Sequence, residues 1–131
     1  MRKFILAVAL VACARQLGAQ TDHVRERDPS WSAPPKDAGQ SNPLEGRPNV
    51  AAGGQKVYGQ RCHTCHGIAG RGTTRAPNLV AADVQAQTDG TLFWKITGGN
   101  TRTGMPSFSF LPEAQRWQVV LHLRRLAREV D

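Results

Sequence analysis

The chain has 131 residues with 17 Lys and Arg against 10 Asp and Glu, a formal net charge of +7, and 3 Cys. That cysteine count excludes a disulfide-dense scaffold, and the length suits one small domain. Nucleic-acid binding needs a clustered basic stripe. The nearest approach to one, Arg116, Arg124, Arg125 and Arg128 near the C-terminus, reads as a solvated helix face or a docking surface.

Residues 1–19 read as a signal peptide. Arg2 and Lys3 form a charged start, and Phe4 to Ala14 form an apolar run too short to span a bilayer. Cleavage is expected after Ala19, which places the mature protein in the periplasm or outside the cell. Leu10-Val11-Ala12-Cys13 also has the form of a lipobox, and lipidation of Cys13 would anchor the protein facing the periplasm. Loss of residues 1–19 removes Arg2, Lys3 and Arg15 but no acid, so the net charge falls from +7 to +4. Cys62 and Cys65 are then the thiols left in the mature chain, and no disulfide is expected.

Residues 20–49 carry Pro29, Pro34, Pro35, Pro43 and Pro48 with almost no apolar periodicity, and read as a flexible Pro-rich arm. Trp31 is its one large aromatic and a candidate pin onto the rest. Folding proper is expected over 50–131. Val50, Gly54, Val57 and Tyr58 fall on one face of a helix running into Cys62, with Gly54 allowing another helix close.

Cys62-His63-Thr64-Cys65-His66 follows. Cys-x-x-Cys-His is the attachment signature of a c-type haem, with two thiols for the porphyrin vinyls and an imidazole for the iron. A thioredoxin-like dithiol would want a βαβ context, and a structural zinc would want a second ligand pair downstream. Beyond His66 there is no Cys, and His122 is the one His.

Gly67 to Gly72 and Arg75 to Asn78 read as loop, and Leu79 to Ala86 as a short helix. A clearer helix has Thr88 or Asp89 as its cap, Leu92, Phe93 and Ile96 as its buried side, and Gly98-Gly99 as its stop. The last helix begins near Pro112 and repeats Val119, Val120, Leu123, Leu126 and Val130 at helical spacing, flanked by Trp117 and His122. No segment alternates as a strand, so the expected class is all-α: a small helical domain around one covalent haem. Met105 is the candidate second iron ligand, because Met1 leaves with the signal peptide and a Gly-Met-Pro loop is a poor place for core packing, although Phe108 and Phe110 leave a gap-filling role open. His23, in the arm, and His63, inside the attachment motif, are weaker candidates.

Gly54-x-x-x-Tyr58, Cys62-x-x-Cys65-His66-Gly67, Pro77-Asn78-Leu79, Thr103-Gly104-Met105-Pro106-Ser107-Phe108 and Trp117-x-Val119-Val120, in this order, make residues 50–128 resemble the class I cytochromes c, in particular bacterial monohaem members. The resemblance implies thioethers to Cys62 and Cys65, His66 as proximal ligand, Met105 as distal ligand with Pro106 shaping its turn, and the Pro77 carbonyl on the other ring nitrogen of His66. It implies an electron carrier, or the cytochrome module of an oxidoreductase, passing single electrons between redox protein partners. His122 stands where the family often has an aromatic, and reads as a helix-contact residue. Leu79, Phe93, Ile96 and Phe108 are expected around the ring, and Trp94, Asn100 and Arg102 are candidate donors to a propionate. The rival reading is a haem enzyme or gas-binding sensor with a labile distal ligand, motivated by the glycine-bounded loop 98–104.

Overall fold

The computed structural model describes residues 24–129. The expected leader, with Cys13 and Ala19, lies outside them, as do His23 and Val130. Among the described residues the regular elements are helices: α1 (Pro35–Ala38), α2 (Val50–Arg61), α3 (His63–His66), α4 (Ala82–Gln85), α5 (Asp89–Gly98) and α6 (Glu113–Glu129), with a 3₁₀ turn at Thr101–Thr103. The class is all-α, as the missing alternation predicts.

α2 lies along α6, and Gly54 sets how closely. A Cβ there would overlap the Gln118 carbonyl, so hydrogen at this position is what allows backbone to meet backbone. Val57 and Tyr58 from α2 then reach Trp117, Val119, Val120 and Leu123 of α6, all buried. α5 starts where Thr88 Oγ1 accepts the Thr91 N–H, a cap read correctly from the chain. It stops at Gly98, with Gly99 in a positive-φ conformation. Leu92 and Ile96 join the core, whereas Phe93 stacks flat on Trp117, ring centroids 3.9 Å apart. The helix expected over Leu79 to Ala86 is shorter, Ala82–Gln85. Asn78 Oδ1 accepts the Val80 N–H and Gln85 Nε2 donates to the Leu79 carbonyl, so side chains replace a helical ladder there.

The described part of the segment read as a flexible arm is held against the helices. Thr88 Oγ1 donates to the Ala38 carbonyl at 2.6 Å, and buried Asn42 donates to the Trp117 carbonyl at 3.1 Å while accepting the Leu44 N–H. Trp31 meets Trp94 with centroids 6.4 Å apart, as a pin would. These anchors are single contacts at irregular intervals, which leave no periodic signal in the chain. No helix among the described residues is long and apolar enough to cross a membrane.

Candidate functional site

α3 explains the attachment motif geometrically. The His66 N–H donates to the Cys62 carbonyl at 3.0 Å and the Cys65 N–H to the same oxygen at 3.2 Å, so one turn of helix carries the motif. Cys62, Cys65 and His66 stand at i, i+3 and i+4, hence on one face. All three line a single cleft, together with Met105, Pro77, Leu79, Ile96 and Phe108.

Beyond α3 the chain doubles back on glycines. Gly67, Gly70 and Gly72 have positive φ, and the Gly72 N–H donates to the His66 carbonyl at 2.8 Å. Tyr58 Oη donates to the Gly67 carbonyl at 2.7 Å, and the Leu79 N–H closes onto the Gly70 carbonyl. This return brings the Pro77 carbonyl 2.9 Å from His66 Nδ1. A carbonyl only accepts, so Nδ1 carries the proton and, in the neutral ring, Nε2 is left with the lone pair. Burial lowers the His66 pKa, with the Pro77 contact working the other way, and the neutral ring is the form a metal binds.

Met105 is set by the opposite approach of chain. After Gly99, Asn100 and Met105 face each other as an antiparallel bridge across the 3₁₀ turn. Ser107 Oγ donates to the Thr97 carbonyl at 2.7 Å and the Phe108 N–H to the Ile96 carbonyl at 3.1 Å, tying the outgoing strand of the loop to the end of α5.

Two thiols, an imidazole nitrogen and a thioether thus share a cleft holding about 1250 Å³ of empty space, counted to its open mouth. The donors suit iron porphyrin chemistry. They do not suit a redox dithiol, which works through a lowered thiol pKa, whereas burial, reinforced by neighbouring Cys65, pushes Cys62 up to about 11. No group of three or more His, Cys, Asp and Glu side chains converges among the described residues.

Compared with known families, residues 49–123 match the model described as cytochrome c oxidase, cbb3-type, subunit III, which is more than half of the chain. The chain belongs to that family. No curated protein matches it. Membership makes this a c-type cytochrome domain, a haem-bearing electron-transfer module. Such a domain holds haem c covalently, and Cys62 and Cys65 have the required spacing. It also implies redox partners or a complex.

Several finer expectations change in this c-type cytochrome domain. Phe93 does not line the cleft but packs on Trp117, because the Arg116 guanidinium covers its other side, 4.9 Å from the ring centroid. Trp94 and Arg102 are also outside the lining, Trp94 against Trp31 and Arg102 exposed. Asn100 does line the cleft. His63 is half-buried with Nδ1 unpartnered, and His122 packs on Tyr58, centroids 5.1 Å apart, as a helix-contact residue. Sequence reasoning missed Lys95 and the arm residues Arg25, Arg27 and Asp28, all of which line the cleft. A lysine inside a helical apolar stripe was the one available signal.

Proposed function

We propose that the protein is an exported monohaem cytochrome that carries single electrons between redox partners. Cys62 and Cys65 would form the thioethers, and His66 and Met105 would hold the iron. The observation that carries the reading is that these four side chains, drawn from α3 and the Cys62 junction ahead of it and from the loop after α5, line one apolar cleft. Held by His66 and Met105, a haem would supply one-electron chemistry with no site left for a substrate, and the imidazole and thioether donors would favour a raised potential. The chain's own part is to hold His66 in one tautomer through Pro77 and to surround the cofactor with Leu79, Ile96 and Phe108.

Export rests on residues 1–19, with lipidation of Cys13 as the anchored variant. Partners meet the protein through a small, transient interface, either as soluble carriers or within a membrane oxidoreductase. Covalent haem is checked by haem staining after denaturing electrophoresis. The ligand set is checked with purified Met105→Ala: loss of the low-spin spectrum, a lowered potential and rapid carbon monoxide binding to the reduced protein are expected, while the wild type binds none. Unchanged spectrum and potential in the variant would refute Met105 as ligand, and rapid binding by the wild type would favour a gas-binding haem protein.

A further inference from the structure

Lys95 is 7% exposed, yet it lies on the cleft-lining side of α5. Its ammonium donates to Gln87 Oε1 at 2.8 Å and sits 4.9 Å from the centre of the Trp31 ring. Among the described residues no carboxylate is within ion-pairing distance of it. The charges nearest to it are Arg27, Asp28 and Asp83. Both acids are engaged elsewhere: Asp83 holds Arg27 at 2.8 Å, and Asp28 accepts from Ser30 and Asn100. An ammonium buried with one neutral acceptor and an aromatic face lacks a counter-charge, and such groups are costly unless paired.

We propose that Lys95 is the counter-ion of a haem propionate. The inference rests on the reading of the cleft as a haem site and adds to it which end of the cleft takes the carboxylates. The porphyrin is the group in that cleft that brings carboxylates, and Lys95 is the lining cation that is both buried and without an ion pair among the described residues: Arg27 is paired with Asp83, and Arg25, Arg61 and Arg75 are exposed. The arm crosses this part of the cleft. The Arg25 N–H donates to the Thr73 carbonyl at 3.0 Å, Arg27 pairs with Asp83, and Asp28 meets Asn100, so the arm straps the loop beyond α3 to the loop carrying Met105. Trp31 completes the strap above the ammonium. Lys95 itself is 7% exposed, so a carboxylate beside its ammonium is screened less than a surface pair and acts on the iron. Burial and the Arg27 charge lower the Lys95 pKa, Asp28 and Asp83 oppose them, and a propionate would act in the same sense as the two acids.

A cation here disfavours the ferric state, which bears one more positive charge than the ferrous state, and it keeps the propionate ionised. The test measures the reduction potential against pH for covalently loaded wild type, Lys95→Arg and Lys95→Met. Wild type and Lys95→Arg hold a level potential between about pH 5 and pH 8. Lys95→Met has a potential that falls with rising pH in that window, and at its upper end the electron is held about tenfold less strongly, about 59 mV for one electron. A Lys95→Met protein with wild-type potential and a level profile overturns the inference and leaves the haem reading intact. Wild-type protein without covalent haem overturns the haem reading itself. Independently of any variant, carbon-13-labelled propionates in the ferrous wild type show one carboxyl titrating well below the ordinary carboxylate value of about 4.3. Two propionates titrating at that value overturn the inference even where Lys95→Met fails to retain haem.

Discussion

Asn100 and Met105 exchange two backbone hydrogen bonds, 2.9 Å and 3.0 Å, closing the loop that presents the thioether. Gly99 makes the approach to this bridge with φ 65° and ψ −175°, a region open essentially to glycine, and a Cβ there would overlap the Pro106 carbonyl. Gly98, one residue earlier, has open space around it. Gly99→Ala is therefore expected to destabilise the protein by about 1–3 kcal/mol and to displace Met105, so that, with Met105 as the proposed ligand, the reduced form binds carbon monoxide. Gly98→Ala leaves ligation unchanged. Denaturant unfolding and carbon monoxide titration of the two variants check this, and equal behaviour would show that the bridge does not position Met105.

The α2–α6 crossing makes the same kind of prediction in the core. Gly54→Ala forces a methyl group into the Gln118 backbone, and the two helices must separate along a buried face that includes Val57, Tyr58 and Val120. The expected loss is about 3 kcal/mol, at the upper end of overpacking effects. Gly59, on the same helix, is exposed with nothing near its missing Cβ, and Gly59→Ala is expected to gain about 0.5–1 kcal/mol from helix propensity. Unfolding midpoints of the pair measure both signs.

What was legible in the chain was what repeats or what is chemically singular. The α2 and α6 faces follow from apolar spacing, the α5 cap and stop from Thr88 and Gly98-Gly99, and the cleft's four donors from a motif and a methionine in a Gly-Met-Pro loop. The rest depends on tertiary contacts without a local signature. Phe93 obeys the helical period and still turns from the cleft, because Trp117 and Arg116 offer its ring two flat faces. Asn42 and Trp31 anchor the arm one residue at a time, from a stretch whose prolines suggest no packing at all. Lys95 interrupts an apolar stripe, and burial of its charge makes sense only once the cleft around it is known.

Arg124 is the tie between α6 and the segment ahead of α5. Its guanidinium donates to Asp89 Oδ1 at 2.9 Å, to the Gln85 carbonyl at 2.8 Å and side-chain oxygen at 3.0 Å, and to the Gln87 carbonyl. Both Arg124 and Asp89 are mostly covered, 20% and 22% exposed, so the contact is weakly screened. A lysine keeps the charge but cannot reach several acceptors in one plane. Arg124→Lys is expected to lose about 2 kcal/mol, in keeping with hydrogen bonds to a charged group and stranded carbonyls. A loss under a few tenths, measured by denaturant unfolding, would mean that the carbonyls find other partners.

His122 gives the pH prediction. It is 2% exposed, its Nδ1 has no hydrogen-bond partner, and it stands against Tyr58 of α2. Burial lowers its pKa from the ordinary 6.5, Arg125 adds to the fall, and Glu129 opposes it. A base whose pKa is depressed in the folded state takes up its proton more readily when unfolded. The unfolded chain therefore binds more protons just below pH 6.5, and stability declines as the pH falls from that value toward the folded pKa. His122→Phe removes both the titration and the stranded nitrogen, and its ring still meets Tyr58. The variant is expected to be more stable by about 1 kcal/mol at neutral pH, with the advantage growing as the solution is acidified. Since every other titrating group is common to both proteins, the difference between their unfolding curves from about pH 7.5 to pH 5 isolates this residue. A difference that stays constant over that range would show that His122 keeps its ordinary affinity for protons.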